Sequence, residues 1–195
     1  MQAYRDRLAA FLGRTKQVMA QIENKARQNP KKLVFPEGER RRILRAAHEL
    51  VQHGICHPVL LGRAPRIAEK AEGLGVDLKG VEIIYAAELD ADRDRYAGQL
   101  FEKRARKGMT LSEAEWNLFK PIYFGASMVE NGEVDALVAG IEANYGEALR
   151  PCLHVIGPRP GGTGRVAGLY MLAFPNRELL FFSDTTVNIE PDARG

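Results

Sequence analysis

The sequence predicts an α/β protein with three layers, in which a mostly parallel sheet is flanked by helices. Three observations support this prediction. Short apolar runs of strand length recur along the chain, amphipathic helical segments follow them, and glycine or proline stands at most of the junctions. Strands and helices that alternate in this order form parallel sheets covered on both faces, with right-handed crossovers. An N-terminal helix and a C-terminal β-hairpin are expected outside these layers.

The bulk composition limits the classes of function that the chain can have. The 195 residues are 45% hydrophobic and carry a net charge of +3, which suits one good core, or one domain plus part of another. Basic residues are interleaved with acidic ones, as on a solvated surface, so no nucleic-acid partner is expected. No apolar run approaches the roughly 20 residues of a membrane span, and no signal segment begins the chain. We expect a cytoplasmic protein for which small anionic ligands remain plausible.

Neither the cysteines nor the histidines form a recognisable reactive site. Cys56 and Cys152 lie far apart in the sequence, so reduced and partly buried thiols are expected. The histidines have no metal-ligand spacing, and surface or packing roles are expected for all four: His48, His53, His57 and His154. The chain has no P-loop, no nucleophile elbow and no dinucleotide fingerprint. These residues alone therefore predict no metal site and demonstrate no enzyme chemistry.

The N-terminal part, residues 1–28, has apolar residues spaced three, four or seven apart, which predicts a helix interrupted near Gly13. Asn29-Pro30 ends it, because proline has no N–H and disfavours helix at the residue before it. Two interpretations remain open for this helix. It packs as an ordinary amphipathic helix, or residues 1–30 are a connector that joins the domain after them to something upstream.

Strand and helix predictions then alternate along the chain. The expected strands are 31–36, 57–61 and 81–85, and the expected helices are 40–53, 65–72 and 89–107. Thr110 and Glu113 form a capping-box pattern at the start of the next helix. That helical region runs to residue 130, with a kink or break at Pro121. Its expected apolar stripe consists of Leu111, Trp116, Phe119, Ile122, Tyr123, Ala126 and Val129.

Residues 135–157 are the best candidate for a site. An apolar strand, 135–139, ends at Gly140, where the backbone must turn, and a helix follows. The expected apolar face of this helix consists of Ala148, Leu149, Leu153 and Ile156. A strand end that leads into a helix N-terminus attracts anions in open α/β sheets, and Arg150 would add a forked positive charge. Arg104 supplies further positive charge near a strand end, although such residues can also be plain solvated helix charges.

The last segment has a different composition. Residues 158–164 form a glycine- and proline-rich loop that either touches phosphate or lies in solvent. Two strands, 165–174 and 178–183, are predicted to pair as an antiparallel hairpin around Pro175-Asn176-Arg177. No helix follows to cover the apolar residues of the hairpin. We therefore expect 31–157 to be one domain and 158–195 to begin an incomplete second one, with the chain being part of a longer protein or its hairpin covered by another subunit.

A family resemblance extends from about Lys31 to the end of the chain. Its motifs stand at 33–39, 43–47, 54–55, 58–62, 104–110, 128–140, 149–151 and 182–191. These motifs and their order along the chain resemble those of the phosphate acetyl/butyryl transferase family, the phosphotransacetylases. The resemblance implies transfer of an acetyl group between coenzyme A and phosphate, in a cleft between two α/β domains.

The resemblance also implies roles for particular residues. Arg104 and Arg150 match the anion-binding arginines of the family, which hold phosphate, acyl phosphate or coenzyme A. The remaining ligand-binding residues that we expect from the matched turn and the C-terminal motif are Gly140, Asn144, Tyr145 and Asp184. The part of the family pattern that carries its serine-arginine pair and catalytic aspartate is absent from this sequence. No catalytic residue is therefore assigned within these 195 residues.

The turn Asn144-Tyr145 and the N-terminal connector are similar to the version of this domain that is fused to bacterial NADP-dependent malic enzymes. That resemblance implies a non-catalytic domain that binds acetyl-coenzyme A as an allosteric regulator and aids homo-oligomer assembly. Malate oxidation, with its NADP and divalent metal, would belong to an upstream domain. The alternative is a fragment of an active phosphate acetyltransferase.

Overall fold

The computed structural model describes residues 14–159, 161, 164, 166–174, 179–184 and 186–187. The chain separates into two compact units, of which one is Asn29–Gly157 and the other comprises the segments on either side of it. The division into three regions, 1–30, 31–157 and 158–195, stays a prediction.

The unit Asn29–Gly157 contains four strands and six helices among the described residues. The strands are β1 (Lys31–Phe35), β2 (Cys56–Leu61), β3 (Glu82–Ile84) and β4 (Ala136–Leu137). The helices, numbered after the N-terminal helix α1 (Arg14–Gln28), are α2 (Arg41–Gln52), α3 (Ala64–Glu72), α4 (Asp90–Arg104), α5 (Leu111–Leu118), α6 (Pro121–Glu130) and α7 (Tyr145–Val155). The alternation of strands and helices confirms the predicted α/β fold class.

The four strands form one parallel sheet in the order β3-β2-β1-β4. Five residue pairs join β1 to β2, whereas only Leu33↔Ala136 and Val34↔Leu137 join β1 to β4. The predicted strand 135–139 is therefore shortened to two residues. One physical reason is that β1 is followed by Pro36, which has no N–H to continue the ladder.

Helices cover both faces of the sheet, as predicted, because successive side chains of a strand point in opposite directions. On one face, Val34 and Val59 are buried with side chains of α4, α5, α6 and α7, and the rings of Tyr96 and Phe124 meet edge to face at 5.2 Å. On the other face, Phe35 and Leu60 pack against α2 and α3. The sheet thus forms the middle of three layers.

Two predicted apolar helix faces differ from the structure, although Tyr123 and Ala126 of the first face are buried in α6 as predicted. On α5 the buried side chains are Ala114 and Leu118, whereas Trp116 is 69% exposed. Leu111 and Phe119, the other residues of that predicted stripe in this region, are also exposed. Pro121 begins a new helix, so the interrupted segment does not keep one continuous stripe.

The α7 prediction fails in a similar way, because the buried residues are Pro151 and Val155. The predicted Ala148, Leu149 and Leu153 are only half-buried, and Ile156 is exposed. The hydrophobic spacing correctly predicted a helix here, but it predicted the wrong side of that helix to face the core.

The other compact unit contains α1 and an antiparallel pair, β5 (Leu169–Leu172) and β6 (Leu180–Ser183). The hairpin prediction is confirmed for its strands, whereas the predicted turn Pro175-Asn176-Arg177 lies outside the described residues. All eight strand residues are exposed. None of the described side chains of α1 is buried, and the part of the predicted helix before Arg14 is likewise outside the described residues.

Candidate anion-binding site

The turn after β4, residues Gly140–Ala143, is occupied by a carboxylate of the chain itself. We call these four residues the pinned turn. Their N–H groups all donate to the side chain of Glu37: Gly140 and Ile141 to Oε2 at 2.9 Å each, and Glu142 and Ala143 to Oε1 at 2.8 and 3.2 Å. Successive N–H groups that converge in this way form an anion-binding nest.

Glu37 is ionised in this position. Partial burial opposes the negative charge, but the four backbone N–H donors outweigh burial, and the pKa of Glu37 lies below its ordinary value. The loop that carries Glu37 lies close to β2, where a Cβ on Gly38 would stand 2.7 Å from the carbonyl oxygen of Leu61. Only glycine therefore lets the loop place Glu37 here.

The helix that follows the pinned turn begins with a capping box. Asn144 Oδ1 accepts from the Glu147 N–H at 3.0 Å, and the Glu147 carboxylate accepts from the Asn144 N–H at 3.1 Å. These bonds satisfy N–H groups that a helix start leaves without a backbone partner. The polar groups of Asn144 and Glu147 thus define where α7 starts.

A hydrogen bond joins α6 to the last turn of α7. Tyr123 Oη lies 2.8 Å from His154 Nδ1. Partial burial lowers the pKa of His154, and the charges of Arg104, Arg150 and Lys107 lower it further. Burial raises the pKa of Tyr123 above its ordinary value, against the opposing effect of the two arginines. Both shifts favour the uncharged forms of the two side chains, which share this hydrogen bond.

Three cations act together at this place. Arg150 stands on α7, and Arg104 and Lys107 stand at the end of α4 and in the 3₁₀ turn Ala105–Lys107. Within the described ranges none of the three forms an ion pair. Their charges act together on the ring of His154.

A cavity of about 810 Å³ opens between α6, α7 and the pinned turn. We call it the cationic cavity. Its lining is polar and apolar in about equal parts, and its polar residues are Asn117, Lys120, Tyr123, Asn144, Glu147, Arg150 and His154. The one acidic group in this lining is Glu147, which is used as the helix cap. A volume of this size suits a ligand of the size of a small organic molecule.

Two smaller cavities adjoin the same residues. An apolar one of about 440 Å³ includes Gly140, Tyr145, Leu149 and Cys152 in its lining. Another, of about 570 Å³, shares Asn117 with the cationic cavity and includes Lys107 and the exposed Trp116. Polar and apolar surfaces therefore meet around the first turn of α7.

The structure brings the residues predicted for the site together only in part. Asn144 and Arg150 line the cationic cavity, and the charge of Arg104 acts on Tyr123 and His154 beside it. Tyr145 and Gly140 line the apolar cavity instead. The Gly140 N–H, expected to face a ligand, donates to Glu37.

Asp184 belongs to the other compact unit, so its membership of the site stays a prediction. It is buried, adopts a left-handed backbone with φ 55°, and donates its N–H to the carbonyl of Gly168 at 2.6 Å.

Sequence reasoning missed three residues of this region: Glu37, Tyr123 and His154. Glu37 belongs to the family motif 33–39 and directly follows the first strand. Its place at the carboxyl edge of the sheet could therefore have been inferred. Tyr123 was assigned to an apolar stripe and His154 to a surface or packing role. Only tertiary packing, which sets α6 beside α7, shows that the two side chains meet.

Both cysteines are free: Cys56 is buried and Cys152 is half-buried, as predicted. Among the described residues, no three histidine, cysteine or acidic side chains are grouped so as to hold a metal ion. The helices in this part of the chain include none with the length and apolar character needed to span a bilayer.

The fold and this site define an α/β domain with a parallel sheet and a cavity near several cationic side chains, and comparisons with known proteins identify its family. The family model described as phosphate acetyl/butaryl transferase matches residues 17–195. The chain belongs to this family.

Curated relatives fall into two groups. The chain is 36% identical to the NADP-dependent malic enzyme of Escherichia coli over 97% of its own length, which is 25% of that enzyme. It is also 36% identical to the phosphate acetyltransferase of Thermoanaerobacterium thermosaccharolyticum over 90% of its length, which is 54% of that protein. The chain thus spans a quarter of one relative and about half of the other.

Solved structures agree with the family assignment. The EutD phosphotransacetylase of Staphylococcus aureus is 29% identical, with a TM-score of 0.76, and the match covers 93% of this chain and 54% of that structure. A phosphotransacetylase of Streptococcus pyogenes is 27% identical, with a TM-score of 0.78 over 90% of this chain and 53% of that structure. A phosphotransacetylase-like domain is therefore present.

Proposed function

We propose that this region binds acetyl-coenzyme A or an acyl phosphate in the cationic cavity and regulates an NADP-dependent malic enzyme of which it is part. The observation that carries the proposal is the group of three cations, Arg104, Lys107 and Arg150, which have no ion-pair partner in the described structure. Phosphate groups satisfy such a cluster, and Arg150 can bind them with two parallel hydrogen bonds.

The malic-enzyme context is supported by how much of the chain each comparison covers. The match to the malic enzyme extends over 97% of the chain and the match to the phosphate acetyltransferase over 90%. The match takes up only 25% of the length of the malic enzyme. The rest of that protein is long enough to contain a large additional domain. NADP and a divalent metal would be bound by that additional domain.

A regulatory role without catalysis is supported by how the cavity uses its two potential bases. Glu147 caps α7, and His154 Nδ1 is hydrogen-bonded to Tyr123 Oη. Both groups that could take a proton from a thiol are therefore already hydrogen-bonded within the fold. We therefore infer that the cavity senses a ligand that it does not transform.

Oligomer assembly is the second part of the proposal. The strands β5 and β6 expose large apolar side chains, including Leu169 at 70% and Phe181 at 63%. Exposed apolar surface on an unpaired hairpin favours burial against more protein. We propose that the hairpin contributes to an interface in the assembled homo-oligomer.

The alternative is that the parent protein is an active phosphate acetyltransferase. It is favoured by the equal identity, 36%, to the enzyme of that name. In that case the cationic cavity would hold phosphate or coenzyme A during turnover, and the catalytic groups would be supplied by the part of the parent outside this sequence.

One assay separates the two functions. The full-length parent is given malate and NADP with increasing acetyl-coenzyme A, and separately acetyl phosphate with coenzyme A. We expect acetyl-coenzyme A to change the rate of NADPH formation, and Arg150→Ala to abolish that response while the basal rate persists. Acetyl-coenzyme A formation from acetyl phosphate and coenzyme A at enzymatic rates would overturn the non-catalytic proposal and establish the alternative.

A further inference from the structure

Glu37 extends the connection between β1 and β4 beyond the point where the strands stop pairing. The backbone ladder between these strands ends with the Val138 N–H, which donates to the Val34 carbonyl at 3.0 Å. From Gly140 onward the N–H groups donate to the Glu37 side chain instead. One carboxylate thus takes the place of a neighbouring strand for the pinned turn.

The pinned turn leads directly into α7. Ala143, its last residue, is followed by Asn144, the N-cap of the helix. At the other end of α7, Lys103 Nζ donates to the Val155 carbonyl at 2.8 Å. The helix that carries Arg150 and His154 is therefore attached at both ends: Glu37 holds the turn that leads into its first residues, and Lys103 contacts the last turn, which contains His154.

A second connection to the pinned turn is much weaker. Arg40 forms an ion pair with Glu142, but both side chains are 52% exposed. Exposed ion pairs contribute little to stability because water and salt screen them. The hydrogen bonds to Glu37 are therefore the main constraint on the pinned turn.

We propose that Glu37 is a positioning residue for the ligand site: its side chain holds the pinned turn and thereby sets the position of α7, which brings Arg150 and His154 into the same cavity as Tyr123. Glu37 does not contact the ligand in this arrangement. The ligand part of the proposal rests on the proposed function, whereas the structural part concerns the turn and α7 alone.

Glutamine at position 37 tests the proposal with almost no change in shape. One oxygen of Glu37→Gln can accept two of the four N–H groups, but the NH₂ group directs its hydrogens at the other two. Glu39→Gln is the matched control on the same loop. The Glu39 carboxylate accepts the Arg63 N–H at 3.0 Å, so it holds the start of α3 and not the pinned turn.

The first measurement is amide hydrogen exchange on the full 195-residue chain. Loss of charge-assisted bonds predicts roughly tenfold or faster exchange at Gly140–Ala143 in Glu37→Gln. In Glu39→Gln the faster exchange should be confined to Arg63 and its neighbours. Protection of the four amides that stays within about twofold of wild type would overturn the proposal.

The second measurement concerns α7. The NMR titration of His154 should shift in Glu37→Gln and remain as in wild type in Glu39→Gln, since only the first variant moves α7 relative to the cations. Calorimetric titration with acetyl-coenzyme A should show affinity at least about tenfold weaker for Glu37→Gln only. If both variants lose affinity equally, or if the titration of His154 is the same in Glu37→Gln as in wild type, Glu37 only stabilises the fold in general. Either result would refute the proposal.

Two further outcomes are distinguishable. If the wild-type chain binds neither acetyl-coenzyme A nor inorganic phosphate, the proposed function fails, while exchange and the His154 titration still decide the role of Glu37. If Glu37→Gln does not fold, Glu37→Asp replaces it, because the shorter carboxylate keeps its charge but cannot reach both pairs of N–H groups. Normal exchange and His154 titration in Glu37→Asp would then contradict the proposal.

Discussion

The pinned turn and the cationic cavity lie side by side, and both gather groups that attract negative charge. In the pinned turn the chain supplies the anion itself, as the Glu37 carboxylate. At the cationic cavity, Arg150 in the lining and Arg104 and Lys107 close to His154 have no such partner in the part of the chain that the structure describes. The difference shows that a strand-turn-helix motif can use its backbone N–H groups for its own architecture, so that the proposed ligand would be bound by nearby side chains.

The largest expected effect tests the cavity side of this comparison. Each hydrogen bond from an arginine to a phosphate group contributes about 1.5–3 kcal/mol, so Arg104→Ala and Arg150→Ala should each weaken binding of acetyl-coenzyme A by about 10- to 100-fold. Isothermal titration calorimetry measures the change. Arg106→Ala, an exposed neighbour that is not among the charges acting on His154, serves as the control. If the two test variants and the Arg106→Ala control bind acetyl-coenzyme A with equal affinity, Arg104 and Arg150 are ordinary solvated charges.

The next effect tests the pinned turn. Gly140 has φ 109°, a backbone conformation that L-residues rarely adopt, although an added Cβ would meet nothing within 4 Å. Gly140→Ala should therefore lower the free energy of unfolding by about 1–3 kcal/mol through backbone strain alone. Urea denaturation measures this change.

Gly98→Ala is the control for that experiment, because Gly98 lies inside α4 and also has open space around it. Helical alanine should raise stability by up to about 1 kcal/mol. A stability for Gly140→Ala equal to or above that of Gly98→Ala would contradict the strained geometry of the pinned turn.

The two capping boxes offer a sharper version of the comparison. Asn144 caps α7 beside the cationic cavity, and Thr110 caps α5 with the same pair of bonds. Asn144→Ala and Thr110→Ala should each cost about 1 kcal/mol of stability. Only Asn144→Ala should also weaken acetyl-coenzyme A binding, because only α7 carries Arg150. Parallel losses of affinity in the two variants would indicate that the effect comes from general destabilisation.

The smallest expected effect is a pH dependence through His154. Its folded-state pKa lies below the ordinary value, first because of burial and then because of Arg104, Arg150 and Lys107. A bound sulfate dianion opposes these cations and favours the protonated ring, so binding takes up a proton. Sulfate affinity should thus increase a few-fold as the pH falls from about 8 to below about 6.5. Glu147 is the acidic group that also lines the cavity.

Calorimetry at several pH values measures this dependence, with His154→Gln as the comparison variant. Without ligand the sign reverses: because the folded pKa is depressed, the unfolded chain binds the proton first, and stability should fall as the pH drops below about 6.5. Sulfate affinity that falls on acidification, or an unchanged slope in His154→Gln, would exclude the role of His154.

Much of the fold could be predicted because it depends on local patterns. Strand-length apolar runs located β1, β2 and β3, and Thr110 with Glu113 marked the start of α5. The predicted break at Pro121 follows from the chemistry of proline and is confirmed. Residues close in sequence are sufficient for such features.

Other features depend on which surfaces pack together. The helical spacing of α5 predicted a core position for Trp116, yet this side chain is 69% exposed, and the smaller Ala114 is buried in its place. A periodic pattern gives the spacing of a face but not the direction in which a neighbouring element lies. For the same reason, the buried side of α7 was misplaced.

By itself, the sequence determined the order of strands and helices, the helix boundaries and the presence of Arg104 and Arg150, because each depends on residue type and short-range spacing. Only the tertiary structure decided how the turn at Gly140 is used. It brought Glu37, over a hundred residues earlier, to the four N–H groups, and it set Tyr123 against His154. Such contacts between distant residues arise from packing of the sheet and its helices, and no local pattern encodes them.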